Sequence, residues 1–161
     1  MKRILGLVSL MSALAVAALG VGTAAGSSHT FTANYSGKVT EVVNGSAVTA
    51  TPKGRGRATL IGRGTITGTV SATTSNPPCT PLGGPGTLVG LRGKLKLRLL
   101  TGSRACAAGQ DDQNNISFSG YARVTGGTGA LRRATGKLHY SGHYDRGTGA
   151  FTVKLTGTLR Y

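Results

Sequence analysis

Apolar and polar residues alternate with a period of two along most of this chain. Phe31, Ala33, Tyr35, Gly37, Val39, Glu41 and Val43 fall on one face, with Thr32, Asn34, Ser36, Lys38 and Thr40 on the other. Asn44-Gly45 then separates two apolar runs, the strongest short-range signal for a β-hairpin. From Ala58 to Ala72 the even positions carry Ala, Leu, Gly, Ile and Val while the odd ones are mostly Thr, Ser and Arg, which predicts one half-buried strand. Leu91, Gly93, Leu95, Leu97 and Leu99 alternate with Arg92, Lys94, Lys96 and Arg98. Ile116, Phe118, Gly120, Ala122 and Val124 continue the rhythm, followed by Leu138, Tyr140, Gly142 and Tyr144, and by Val153, Leu155, Gly157, Leu159 and Tyr161.

One apolar and one wet face on successive strands is the pattern of an antiparallel sheet wrapped around one core. No segment carries a 3.6-residue apolar stripe, which excludes a parallel βαβ architecture. Glycine recurs at inward positions (Gly37, Gly64, Gly68, Gly93, Gly120, Gly142, Gly157). Interior glycine weakens a flat strand but permits sharp bends and close backbone approach, which a small closed barrel requires. The expectation is an all-β fold, a small antiparallel closed β-barrel with one disulfide, and the alternative is a β-sandwich. The 27 glycines among 161 residues show no Gly-X-Y period, which excludes collagen, and the length suits one domain.

The first residues do not belong to that domain. Lys2 and Arg3 precede an apolar stretch from Ile4 to about Gly20, and Thr23-Ala24-Ala25 supply small residues for cleavage. Residues 1–25 read as a secretory signal peptide, leaving 26–161 as the barrel domain of a secreted protein. In an oxidising compartment the two cysteines, Cys79 and Cys106, pair as one disulfide. Both fall between strand-like segments, and closing a loop of about 28 residues stabilises by about 3.5 kcal/mol in the chain-entropy model. No Cys-x-x-Cys spacing favours a redox or metal role.

Gly126-Gly127-Thr128-Gly129-Ala130-Leu131-Arg132-Arg133-Ala134-Thr135-Gly136 stands apart from the alternation. Its glycines allow positive φ in a tight turn, Leu131 can plug one end of a core, and Ala134 and Gly136 allow close packing of the next strand. The segment resembles the Gly-Gly-Thr-Gly-x-Phe-x-x-Ala-x-Gly signature of dirigent and allene-oxide-cyclase-like barrels, with Leu131 where that family usually has Phe. It is similar to small secreted actinobacterial proteins that carry the same segment. The match covers Ile116 to Tyr161, and the rest follows in strand rhythm. The resemblance implies an eight-stranded antiparallel barrel whose open end holds an apolar ligand, and a trimeric assembly. It carries over no catalytic residue, because the family's acids and arginines find no matching positions. A phosphate-loop reading fails, since no Gly-Lys-Ser/Thr follows.

Charge changes the picture of the surface. The chain has 19 Lys+Arg against 4 Asp+Glu, a net charge of +15 that becomes +13 without Lys2 and Arg3. Arg92, Lys94, Lys96 and Arg98 share one face at a spacing of about 6.6 Å. Arg55, Arg57, Arg63, Lys154 and Arg160 add to it, and Asp111, Asp112 and Asp145 fall in predicted loops. Uncompensated cations attract anionic polymers by steering and counterion release, so Arg92, Lys94, Lys96 and Arg98 are the candidate polyanion-binding residues. The partner would be an envelope polymer such as a teichoic acid or acidic glycan, an anionic lipid surface, or nucleic acid. Dedicated nucleic-acid recognition lacks a motif, because Tyr121 is the sole outward aromatic near these strands.

Candidate chemistry in the interior is sparse. Glu41 falls inward by parity, with Tyr35, Tyr140 and Tyr144 as candidate neighbours; at a strand end it can equally reach solvent. His139 and His143 share a strand face about 13 Å apart, too far for one ion. Asp111-Asp112-Gln113-Asn114-Asn115 lacks the acid spacing of a calcium loop. No cofactor, metal site or catalytic triad is expected. The expected function is non-enzymatic binding of a small apolar ligand or an anionic envelope polymer. The alternative is a dirigent- or cyclase-like action on a reactive small molecule in the barrel mouth.

Overall fold

A computed structural model describes residues 27–73, 79–109 and 112–161. The expected signal peptide at 1–25, the Pro77-Pro78 segment and Asp111 lie outside the described residues. The strands are β1 (Ser28–Asn44), β2 (Ala47–Ala58), β3 (Gly62–Gly68), β4 (Val70–Thr73), β5 (Cys79–Gly83), β6 (Pro85–Gly90), β7 (Gly93–Leu99), β8 (Arg104–Ala107), β9 (Asn115–Gly127), β10 (Thr135–Asp145) and β11 (Ala150–Arg160). β4 prolongs β3, β6 prolongs β5 and β8 prolongs β7, so eleven segments make eight staves of an up-and-down meander. β1 pairs with β2 on one side and β11 on the other, and this double pairing closes the barrel.

The three interrupted staves break side by side. At the first break Thr69 donates to the Pro85 carbonyl at 3.0 Å, and at the second the Gly84 carbonyl accepts from Leu99 at 2.9 Å. At the third, seven residues from Arg98 to Arg104 face five from Arg123 to Ser119, so the Leu100–Ser103 bulge adds two residues and bends the wall.

Exposure divides the barrel along its axis. At one end Phe31, Leu88, Leu95, Leu138 and Leu159 are fully buried, and Ile61 and Leu131 cap them from the connecting turns. Leu131 sits in a short 3-10 turn, Gly129–Leu131. The preceding Thr128 anchors it to β7, donating its N–H to the Lys94 carbonyl at 3.0 Å and accepting the Lys94 N–H on Oγ1 at 3.1 Å. Burying one leucine side chain in this way contributes about 2 kcal/mol. At the other end the inward residues Val39, Ile66, Leu99, Ile116 and Phe118 are only half-buried. The barrel is closed at one end and open at the other.

Five local expectations change. The Ala58–Ala72 run is not one strand: the chain reverses at Thr59–Ile61, where Gly62 takes φ of 79°. Thr59 pins that reversal to β1, donating to the Thr32 carbonyl at 2.9 Å. Leu91 does not point inward but occupies the β6–β7 turn and is 90% exposed. Val43 projects past the rim, 65% exposed, because β11 accompanies β1 only as far as Lys38. Asp145 is the last residue of β10 rather than a loop residue. The cysteines also lie on strands, Cys79 on β5 directly opposite Cys106 on β8, and they are joined as expected. The Asn44-Gly45 hairpin is present, with Gly45 at φ of 60°.

Large inward side chains lie over glycines on the neighbouring strand. Tyr35 stands opposite Gly56, Phe118 opposite Gly142, Leu138 opposite Gly157 and Leu159 opposite Gly136. A second glycine row, Gly56, Gly64, Gly90 and Gly93, crosses four strands in register. A Cβ at Gly64 would strike the Val89 carbonyl oxygen and come within 2.9 Å of the Gly90 Cα, both backbone atoms that cannot swing away. Gly64→Ala is therefore expected to destabilise by about 2 kcal/mol or more in urea unfolding. Gly83→Ala, whose Cβ would meet nothing within 4 Å, stays within about 0.5 kcal/mol of the parent.

Candidate functional site

The open half of the barrel contains a cavity of about 360 Å³. Its wall comes from every stave: Val39 from β1, Val48 from β2, Ile66 from β3, Leu82 from β5, Leu97 from β7, Phe118 and Ala122 from β9, and Phe151, Val153 and Leu155 from β11 are representative. Short side chains on the interrupted staves leave the space. Ala72, Ala105 and Ala107 stand where the closed end has leucines.

Polar groups converge on one side of this apolar space. Glu41, Tyr140, Tyr144 and Arg146 all line it. The Arg146 Nε donates to Glu41 Oε2 at 3.2 Å, spanning from the β10–β11 turn to the lip of β1. The same guanidinium donates through Nη1 to the Gln113 carbonyl at 3.3 Å, while the Arg146 backbone N–H donates to the Asn114 carbonyl at 2.9 Å. Arg146 thereby ties three segments of the rim together. Glu41 is inward-facing and also at the rim, its side chain 17% exposed.

The interior tyrosines share one electrostatic trait. Burial disfavours the phenolate, pushing Tyr35 up to about 12 and raising Tyr140 and Tyr144. For Tyr144 the neighbouring Glu41 carboxylate adds to the rise and Arg146 opposes it. For Tyr140 the Ser103 hydroxyl works against the rise. Ser103 Oγ itself donates to the Tyr121 carbonyl at 3.3 Å, and the Tyr140 hydroxyl makes no hydrogen bond of ordinary geometry. A buried hydroxyl without a partner carries a desolvation cost.

Of the four interior candidates, Glu41, Tyr140 and Tyr144 meet at this cavity. Tyr35 is buried, with its hydroxyl unpartnered, but it does not line the cavity. Arg146 was missed by sequence reasoning, though it continues the inward parity of Tyr140, Gly142 and Tyr144 by one step past the strand end.

The barrel architecture has a counterpart among solved structures. The pterocarpan synthase dirigent protein GePTS1 superposes with a TM-score of 0.55 at 12% sequence identity, covering 94% of this chain and 99% of that chain. The fold is dirigent-like. No protein-family model matches the sequence, and a comparison with curated proteins finds no match. At this identity the likeness concerns the backbone, so the chemistry of the dirigent-like barrel described here rests on its own residues.

The cationic candidates take a different place. Lys94, Lys96 and Arg98 point outward from β7 and Arg92 is exposed in the turn before it; none lines the cavity. Arg98 stands directly opposite Arg123, which stands opposite Lys137 on β10. Like charges in register repel, and this row has no carboxylate to separate them. Lys137 instead lies over the exposed Tyr121 ring at 3.9 Å, and Tyr121 meets His139 edge-on. Among the described residues no cluster of three or more His, Cys, Asp or Glu is placed to hold a metal. Asp112 accepts from Asn115 and Asp145 from Thr148, capping turns, and these bonds hold both carboxyls below their usual range.

Tyr35 gives a pH dependence with a definite sign. Its folded-state value lies above the unfolded 10.0, so the folded state keeps a proton that the unfolded state releases. Ionisation of this phenol therefore costs the fold nothing below pH 10 and destabilises it progressively as pH rises through about 12. In urea titrations at a series of alkaline pH values, Tyr35→Phe should lose less stability across that window than the parent. At neutral pH it should be as stable or more stable, since the unpartnered hydroxyl is gone.

Proposed function

We propose that this protein binds one small, mainly apolar molecule in the open half of the barrel, with a hydroxyl, carbonyl or carboxylate of that molecule directed at the Tyr144–Glu41–Arg146 cluster. The observation that carries this reading is the cavity itself. It has the size of known ligand pockets, which begin at about 300 Å³, is predominantly apolar, and concentrates its polar atoms on one side. A packed interior would have left only the outer surface for binding. The Tyr140 hydroxyl itself is sealed, so Tyr140 gives the cavity its ring, and the polar contacts open to a ligand come from Tyr144, Glu41 and Arg146. Arg146 gives Nε to Glu41 and Nη1 to the Gln113 carbonyl, and its remaining guanidinium N–H groups can donate to a ligand oxygen while the Glu41 pair stays in place.

A second reading is favoured by the position of the polar cluster at the rim. There the barrel would shield and orient a reactive small molecule, as a dirigent- or cyclase-like protein does. The name of the structurally similar protein, a pterocarpan synthase dirigent protein, supports a small-molecule partner for this architecture. Both readings place the ligand in the same cavity. The location we propose is outside the cell, on the strength of residues 1–25 and the pairing of the two cysteines.

The test uses N-phenyl-1-naphthylamine, a neutral fluorescent probe that the cationic outer wall does not attract. Saturable binding of one probe per chain is expected. Ala50→Trp and Ala72→Trp, both at half-buried wall positions of the cavity, should each weaken it about tenfold, or 1.4 kcal/mol, by filling the space. Absence of saturable binding, or affinity unchanged in both variants, would overturn the assignment.

A further inference from the structure

The outer wall carries a second depression, unconnected with the expected basic strand. We propose that it is a binding groove for a linear acidic polysaccharide, a chain of sugar hydroxyls with carboxylate or sulfate groups at intervals. The groove has a volume of about 760 Å³ and is lined mainly by outward residues of β1, β2 and β8–β11, with the inward-register Tyr35, Phe118 and Val153 reaching its floor.

Its residues stand in register across the strands. Arg104 on β8 is opposite Ser119 on β9, which is opposite Ser141 on β10, then Lys154 on β11, then Asn34 on β1. Arg55 closes the groove from β2. Neighbouring strands are roughly 4.8 Å apart, so Arg104 and Lys154 stand on staves roughly 14 Å apart, and Lys154 and Arg55 on staves roughly 10 Å apart. A polymer laid across the strands would meet a cation at each interval and small hydroxyl or amide groups between. Serine and asparagine both donate and accept, which matches sugar hydroxyls.

Charge supports an anionic chain. None of these three cations has a carboxylate within ion-pair distance among the described residues, where the single salt bridge is Glu41–Arg146 at the rim. The other described acids, Asp112 and Asp145, are engaged in turns at that same end. The groove presents no exposed Phe, Tyr or Trp ring for a base to stack upon, and its exposed imidazole, His143, is engaged by Ser117 Oγ at 3.3 Å, which argues against nucleic acid. The exposed Tyr121 ring lies outside the groove beneath Lys137.

The experiment separates this groove from mean charge. Short polygalacturonate and heparin oligosaccharides are titrated into the full mature chain and into two triple variants of equal charge loss, with thermal melts confirming that each folds. Arg55→Gln/Arg104→Gln/Lys154→Gln should lose about tenfold or more in affinity, and its slope of log K against log salt should shrink by about two to three. Arg92→Gln/Lys94→Gln/Lys96→Gln should lose about twofold at most. Ser141→Trp, which blocks the groove without changing charge, should weaken binding as well. All three variants should keep the parent's affinity for the neutral naphthylamine probe, whose site is inside. Equal losses in the two triple variants, no binding of either oligosaccharide, or tighter binding of a thymidine oligonucleotide than of the sugars would overturn the proposal.

Discussion

The interior of an eight-stave barrel this small cannot hold a full-sized side chain at every inward position, and the structure depends on how that shortage is met. Inward glycines on one strand lie beneath large residues on the next, as Gly142 lies beneath Phe118 and Gly56 beside Tyr35. The aromatic or leucine then fills the room of two positions. The glycine loses conformational entropy on folding, and the packed ring offsets that loss. The arrangement also coils the wall, because a strand without Cβ atoms can approach its neighbour's carbonyls. Where this pairing of large over glycine is dense the barrel is solid. Where the interrupted staves bring alanines inward instead, at Ala72, Ala105 and Ala107, the same wall encloses space. The closed and open halves are two outcomes of one packing rule.

Charge follows the same axis. The described acids, Glu41, Asp112 and Asp145, gather at the open end, where each has a structural partner. The cations are spread over the wall. Cross-strand rows such as Arg98, Arg123 and Lys137 cost repulsion that a single Glu or Thr would relieve. The cation–π contact of Lys137 on Tyr121 relieves one member of that row and leaves the arginines facing water.

Much of this was legible in the sequence, and the failures have physical causes. Period-two alternation assigned the facing of β7, β9, β10 and β11 because one face of each is dry, and the strict parity of Leu95 and Leu97 against Lys94 and Lys96 survives in the structure. The same parity hid two turns. Leu91 shares the odd register of Leu95, so the run extended through the β6–β7 reversal even though Gly90 and Gly93 flank it. Ala58 and Gly62 share an even register across the β2–β3 reversal, where no Pro, Asn or Asp marks the turn. Register between strands is not written in any one strand. That Arg98 faces Arg123 depends on the register shift between Lys96 and Leu97, and that Arg104 joins the row of Ser119, Ser141 and Lys154 depends on the two-residue bulge at Leu100–Ser103. For the cavity, Glu41, Tyr140 and Tyr144 came from parity, while Arg146 required following that parity out of the strand into the turn.

Period two also explains how one wall presents both a cavity and a groove. Phe118 and Val153 line both the cavity and the groove, so a single layer of backbone separates them. Along β10, Tyr140 and Tyr144 face the cavity while Ser141 and His143 face the groove, and the ladder to β9 and β11 fixes that assignment residue by residue. A substitution at Ser141 changes the outer surface and leaves Tyr140 in place, since shifting one without the other would require a register slip that empties the core. Sequence on the two faces can therefore vary independently while the backbone stays common. A barrel that binds a small molecule within can acquire a polymer-binding exterior at no cost to its cavity, which is how a dirigent-like backbone at 12% identity can carry chemistry of its own.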